Sequence, residues 1–238
     1  MLFTRLLDTV ATTPSKCAVC HDWGTQRVCA QCVARFAPVL PRCGRCGIEV
    51  PVGTGSCGAC LTDPPPFERT LAGVDYAHPW DGLITQFKFH AALDLAPALS
   101  RRLLDAFHRG GGPAPALLLA IPLSAERLRE RGYNQAWELA RRLARALDGR
   151  ADPSLLLRVK DTPHQLALAP DKRAGNVHAA FAVEPRRRAE LAGATVTLVD
   201  DVMTTGATAA EAARVLLQAG AAQVHVWVVA RTPRSDAV

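Results

Sequence analysis

Residues 196–208 read VTLVDDVMTTGAT. The apolar run Val196–Val199 has the composition of a buried strand, and it ends in two adjacent carboxylates, Asp200 and Asp201. Val202-Met203 reads as a short turn. Thr204-Thr205-Gly206-Ala207-Thr208 then opens an alanine-rich segment. A strand that passes through a small-residue loop into a helix N-terminus presents backbone N–H groups and the positive end of the helix dipole, both suited to a phosphate. Threonine hydroxyls add neutral donors, and Gly206 lets the backbone approach a ligand closely. Ionised aspartates accept hydrogen bonds without donating, so the pair suits two neighbouring ribose hydroxyls.

The segment resembles the 5-phosphoribosyl-1-pyrophosphate (PRPP) motif of type I phosphoribosyltransferases over its whole length: apolar strand, acid-acid, spacer, Thr-Thr-Gly, Thr. An ordinary strand-turn-helix crossover is the plain reading, but such crossovers usually end in one polar residue or glycine. The rest of the chain agrees with an α/β domain. Strands are expected at 71–76, 117–122, 155–159, 181–183, 195–199 and 224–230. Helices are expected at 80–89, 93–107, 135–147 and 208–219, the last capped by Gly220. This alternation predicts a parallel sheet flanked by helices, with sites at the strand C-terminal ends.

All eight cysteines fall between Cys17 and Cys60, in four C-x-x-C pairs: Cys17/Cys20, Cys29/Cys32, Cys43/Cys46 and Cys57/Cys60. Two such knuckles supply four thiolates, so the eight predict two structural zinc ions, with the knuckles paired in sequence order. Gly44, Gly47 and Gly58 beside the cysteines suit tight knuckle turns. A disulfide framework is disfavoured because no signal peptide is evident. A redox motif needs one C-x-x-C pair, not four. Four thiolates leave no open position on the ion, so catalysis at zinc is not expected. The linker Asp63-Pro64-Pro65-Pro66-Phe67 divides an N-terminal unit, 1–66, from a larger one, 67–238.

Several basic residues could complete a phosphate site. The loop at 124–134 carries Arg127, Arg129 and Arg131 beside the Gly132-Tyr133-Asn134-Gln135 segment. Its arginines suit a pyrophosphate, or they pair with Glu126 and Glu130 on a solvated helix start. Residues 161–176 are long for a structureless connection and contain Lys172 and Arg173, which suit a lid over pyrophosphate or a plain surface loop. Lys88 lies between two phenylalanines and either reaches the site or snorkels from an apolar face.

The 238 residues carry a net charge of +6 with 28 lysines and arginines, which permits nucleic-acid contact. Only 5% are aromatic, which argues against a long base-stacking groove. No apolar run spans a bilayer. Leu2, Phe3, Leu6, Leu7 and Val10 read as an amphipathic helix broken by Arg5 and Asp8, so the expected location is cytoplasmic.

The cysteine ribbons, the Pro-Pro-Phe linker, the segments RLRERGYNQA and RVKDTPHQLALAPDKRAGNVHAAFAV, and VTLVDDVMTTGAT, in that order, resemble the ComF (ComFC/GntX-like) family. The resemblance implies a type I phosphoribosyltransferase fold with an N-terminal double zinc ribbon. It implies PRPP with Mg²⁺ as ligand, and a cytosolic role in handling incoming single-stranded DNA during natural transformation. The partners it implies are single-stranded DNA and a competence helicase or other DNA-processing protein. It leaves open whether the chain is an enzyme. A nucleobase-salvage phosphoribosyltransferase is the other reading.

Overall fold

The stretch that opens the site lies at the heart of a sheet. The computed structural model describes residues 14–159 and 179–233. The expected helix over 2–10, the segment 161–176, and with it Lys172 and Arg173, lie outside the described residues.

The N-terminal part holds a hairpin of β1 (Ser15–Lys16) and β2 (Trp23–Gly24), then α1 (Ala30–Phe36) and α2 (Gly58–Thr62). The larger part follows as β3 (Arg69–Asp75), α3 (Trp80–Phe89), α4 (Ala96–Gly110), β4 (Leu117–Ala120), α5 (Ala125–Arg131), α6 (Gln135–Ala146), β5 (Arg150–Asp152), β6 (Leu156–Arg158), β7 (Phe181–Val183), β8 (Thr195–Met203), α7 (Ala207–Gln218) and β9 (Gln223–Arg231). Five strands form a wholly parallel sheet in the order β3-β9-β8-β4-β5.

Side-chain alternation divides the interior in two. Leu118 and Ala120 of β4, Val199 of β8 and Val229 of β9 join Trp80, Leu99 and Leu139 from α3, α4 and α6. Leu117 and Leu119, Val196 and Leu198, and Val224, Val226 and Val228 join Ala212 and Leu216 of α7 on the other face. A sheet buried on both faces explains the near-continuous apolar strands.

Three details differ from the sequence reading. The central strand β8 does not stop at Val199; it runs through both aspartates to Met203, because β9 continues beside it and pairs Asp200 with Val228 and Met203 with Arg231. The expected loop at 124–134 contains helix α5, capped by the Ser124 hydroxyl, which accepts from the Arg127 N–H, and closed by Gly132 at φ 79°. Finally, the strands near 156 and 182 do not enter the parallel sheet but pair antiparallel with each other; its edge is instead the unforeseen β5. Gly220 does close α7: its N–H bonds to the Leu217 carbonyl while that of Ala221 reaches Leu216, the reciprocal pattern of a Schellman ending.

Candidate functional site

One cavity of about 290 Å³ opens at the C-terminal end of the sheet, where β8 and β4 give way to loops. Asp200, Asp201 and the Thr204–Thr208 run form one wall, and Arg127 and Arg131 belong to the same lining. The strand ladder sets the acids at the rim, and Gly206, at φ 85°, turns the chain into α7. That left-handed turn aims the first residues of α7 at the cavity, where N-terminal N–H groups and the helix dipole favour an anion. Thr204 and Thr205 are exposed to the opening.

Burial and charge shape the acids. Asp201 is only 2% exposed. Its Oδ1 lies 3.0 Å from Lys88 Nζ and accepts from the Val202 N–H. Its Oδ2 is buried with no hydrogen-bond partner among the described residues. Burial first, and the Asp201 charge second, push the Asp200 carboxyl up to about 8, with Lys88 opposing. On Lys88 itself burial acts to lower the pKa, but Asp201 and Asp200 outweigh it and hold the ammonium above its ordinary value. Two adjacent carboxylates thus share one ammonium, and one carboxyl retains a proton near neutrality.

The segment around Tyr133 is the frame of this site. The Tyr133 hydroxyl donates to the Phe87 carbonyl and fixes the end of α3, which carries Lys88 and Phe89. Asn134 caps α6 by accepting from the Ala136 and Trp137 N–H groups, and its amide donates to the Ile121 carbonyl beyond β4. Arg131 donates to the buried Gln135 side chain and stacks over the Phe89 ring, 5.0 Å from its centroid. Sequence reasoning had singled out Arg131 and Lys88. It passed over Phe89, Gln135, Arg158 and Tyr76, which also line the cavity. The positions of Tyr76 and Arg158 at the ends of expected strands are the local signals that could have found them.

The cysteines form two groups of four, Cys17/Cys20/Cys29/Cys32 and Cys43/Cys46/Cys57/Cys60, each with its ligand atoms within 4.8 Å of one another. Sulfur pairs lie 3.9 Å apart at Cys17–Cys32, 3.8 Å at Cys20–Cys29 and 3.6 Å at Cys46–Cys57. A tetrahedron with metal–sulfur bonds of about 2.3 Å has edges of about 3.8 Å. A disulfide would require about 2.05 Å. Burial raises the Cys17 and Cys43 thiols, but backbone N–H donors outweigh it and bring each down to about 6. In the same groups burial pushes the Cys32 thiol up to about 12 and raises the Cys60 thiol as well. Four thiols so close cannot all ionise without a cation, and the donor set fits a dication. Each group could hold one zinc ion.

The family model for the phosphoribosyl transferase domain matches residues 134–237. A DNA utilization protein YhgH of Salmonella typhi is 36% identical over 233 residues, spanning 93% of this chain and 99% of that protein. Competence protein F of Haemophilus influenzae is 33% identical over 208 residues, 86% of this chain and 90% of that protein. The chain belongs to the ComF family. Competence protein ComFC of Bacillus subtilis is 29% identical over 150 residues, 63% of this chain and 58% of that one. The domain match begins at Asn134, the residue that ties α6 of the ComF chain to the end of β4. Among its described residues no helix is long and apolar enough to cross a membrane.

Proposed function

We propose that this chain binds PRPP, or a closely related phosphoribosyl ligand, with Mg²⁺, and that it acts in the cytoplasm in the handling of internalised single-stranded DNA. The observation that carries the reading is a single cavity lined by Asp200, Asp201, the Thr204–Thr208 turn, Arg127 and Arg131. In this reading Asp200 and Asp201 accept from the ribose hydroxyls, and residues 204–208 receive the 5-phosphate. Arg127 and Arg131 face the pyrophosphate; Lys172 and Arg173 belong to the same proposal. The buried, unpartnered Oδ2 of Asp201 and the Asp200 carboxyl are hard oxygen donors, the kind that suit a Mg²⁺ site and its waters. The ion, when bound, neutralises pyrophosphate charge.

Residues 1–66 are proposed as a unit holding two structural zinc ions and 67–238 as the ligand-binding unit. The relatives named for competence and DNA utilization support the role in DNA handling. Single-strand binding is expected to be weak, indifferent to sequence and steeply salt-dependent, because the chain is basic and poor in aromatics. Two assays test the function together. Pyrophosphate release from PRPP with a panel of nucleobases should be at background. Single-stranded DNA should be retained at low salt and released at high salt. Turnover with one base would replace this reading by salvage. No retention at low salt would remove direct DNA contact.

A further inference from the structure

Arg231, the last residue of β9, is only 6% exposed and is not among the residues that line the cavity. Its Nε donates to the Cys46 carbonyl at 2.8 Å. Its Nη1 reaches the carbonyls of Met203 at 3.0 Å, Thr204, and Thr232 at 2.9 Å. One side chain therefore grips the second cysteine group and the first residue of the phosphate turn at once. A rigid planar fork can do this; a lysine ammonium on a flexible stem cannot reproduce it.

Contacts from β3 also hold the same knuckle. The Thr70 N–H donates to the Gly44 carbonyl and its hydroxyl to that of Arg45. Arg42 pairs with Asp75 at 2.8 Å and donates to the Gly47 carbonyl. Asp75 is the sheet neighbour of Arg231 on β3, and Met203 is its neighbour on β8. An ion shared by the four sulfurs would tie Cys43 and Cys46 to Cys57 and Cys60 and so fix the turn that presents the Cys46 carbonyl. If that turn opens, the Cys46 carbonyl leaves Arg231, and the guanidinium loses the anchor that aims its other contacts at Met203 and Thr204.

We infer that Arg231 is a positioning residue that couples the second cysteine group to the phosphate turn, so that metal on Cys43, Cys46, Cys57 and Cys60 strengthens phosphoribosyl binding and bound phosphoribosyl ligand retains that metal. The inference rests on the phosphoribosyl reading of the cavity. Coupling between two binding equilibria is reciprocal, so each direction can be measured. Among the described residues the first cysteine group shows no link to that turn: its segment meets the larger part through the Trp80 indole donating to the Phe36 carbonyl, the Arg27–Asp94 ion pair and a shared apolar interior, on the α3 and α4 side.

The test follows zinc release from the intact protein with a coloured chelator, with and without ribose 5-phosphate, whose binding is measured separately by calorimetry. Cys20→Ser and Cys60→Ser assign the two release phases. Saturating ribose 5-phosphate should slow release from the second group about tenfold and leave the first unchanged. Arg231→Lys should keep both ions, bind ribose 5-phosphate about tenfold more weakly and lose the selective protection. Protection of both groups or of neither, with calorimetry showing that the ligand binds, overturns the inference; so does selective protection that survives in Arg231→Lys. Amide exchange across Thr204–Ala207 supplies a readout that needs neither ligand nor the lysine variant. Cys60→Ser should speed it about tenfold and Cys20→Ser should not. Equal exchange in the two overturns the coupling. A complete lack of ribose 5-phosphate binding by wild type, with exchange behaving as expected, overturns the phosphoribosyl reading instead.

Discussion

The two cysteine groups share the same C-x-x-C spacing within each knuckle and are attached to the larger part in different ways. Cys17, Val28 and Cys32 of the first belong to the same apolar interior as Trp80, Leu99 and Leu139. The second encloses a small interior of its own, Cys43, Ile48, Val50 and Cys57. It meets the sheet through carbonyl groups, Thr70 and the arginines Arg42, Arg45 and Arg231. Apolar contact is non-directional and stabilises in proportion to area. Hydrogen bonds to a charged fork fix direction. The first group is therefore expected to matter most for global stability, and the second for the geometry of the Thr204–Thr208 turn.

The largest expected effect lies on the first side. Trp80 is 1% exposed and its indole donates to the Phe36 carbonyl at 2.6 Å. Trp80→Ala should cost about 4 kcal/mol of unfolding free energy in a urea titration and hasten metal loss from Cys17, Cys20, Cys29 and Cys32. A cost below about 1 kcal/mol would mean that the first group does not share the interior as described.

Gly47 tests the other side. It sits at φ 70°, and a Cβ there would lie 2.8 Å from the Thr70 Cγ2. Gly47→Ala should cost about 2 kcal/mol and speed zinc release from the second group alone. Equal weakening of both groups would erase the distinction between them.

A smaller effect concerns the site to which the second group is tied. The Asp200 carboxyl stands near 8 in the folded protein against an ordinary 3.8. Between those values the folded state holds a proton that the unfolded state has released, so this group's contribution to stability falls as pH rises and is lost above about 8. Asp200→Asn removes that penalty. Its melting temperature should exceed wild type by about 3 °C at high pH, with the gain shrinking as pH falls toward 4. A gain that does not change with pH would show that Asp200 carries no such burden.

Much of this was legible in the sequence because the signals were local. The apolar run ending in Asp200-Asp201, the turn at Gly206, the helix 80–89 and the order of the C-x-x-C pairs each depend on neighbours in the chain. What escaped depends on distant partners. The central strand β8 runs on past Val199 because β9 lies alongside. The charges of α5 suit both a phosphate loop and a solvated helix start; Ser124 and Gly132 mark the ends of the helix that forms. The antiparallel pairing of β6 with β7 joins residues about 25 apart, so neither strand shows its partner. Lys88 was noticed as an oddity, but its contact with Asp201 spans more than a hundred residues. Arg231 gave no signal at all: in sequence it is one arginine at the end of an apolar strand.

Calorimetric titration of PRPP with Mg²⁺ into wild type and into Asp200→Asn/Asp201→Asn tests the role of the paired acids. Wild type should show saturable one-to-one binding. The double variant should remain folded and lose that affinity by at least about a hundredfold, since both proposed ribose acceptors are gone. Equal affinity in the two proteins would contradict the assignment of Asp200 and Asp201, and no binding by folded wild type would contradict the phosphoribosyl reading itself.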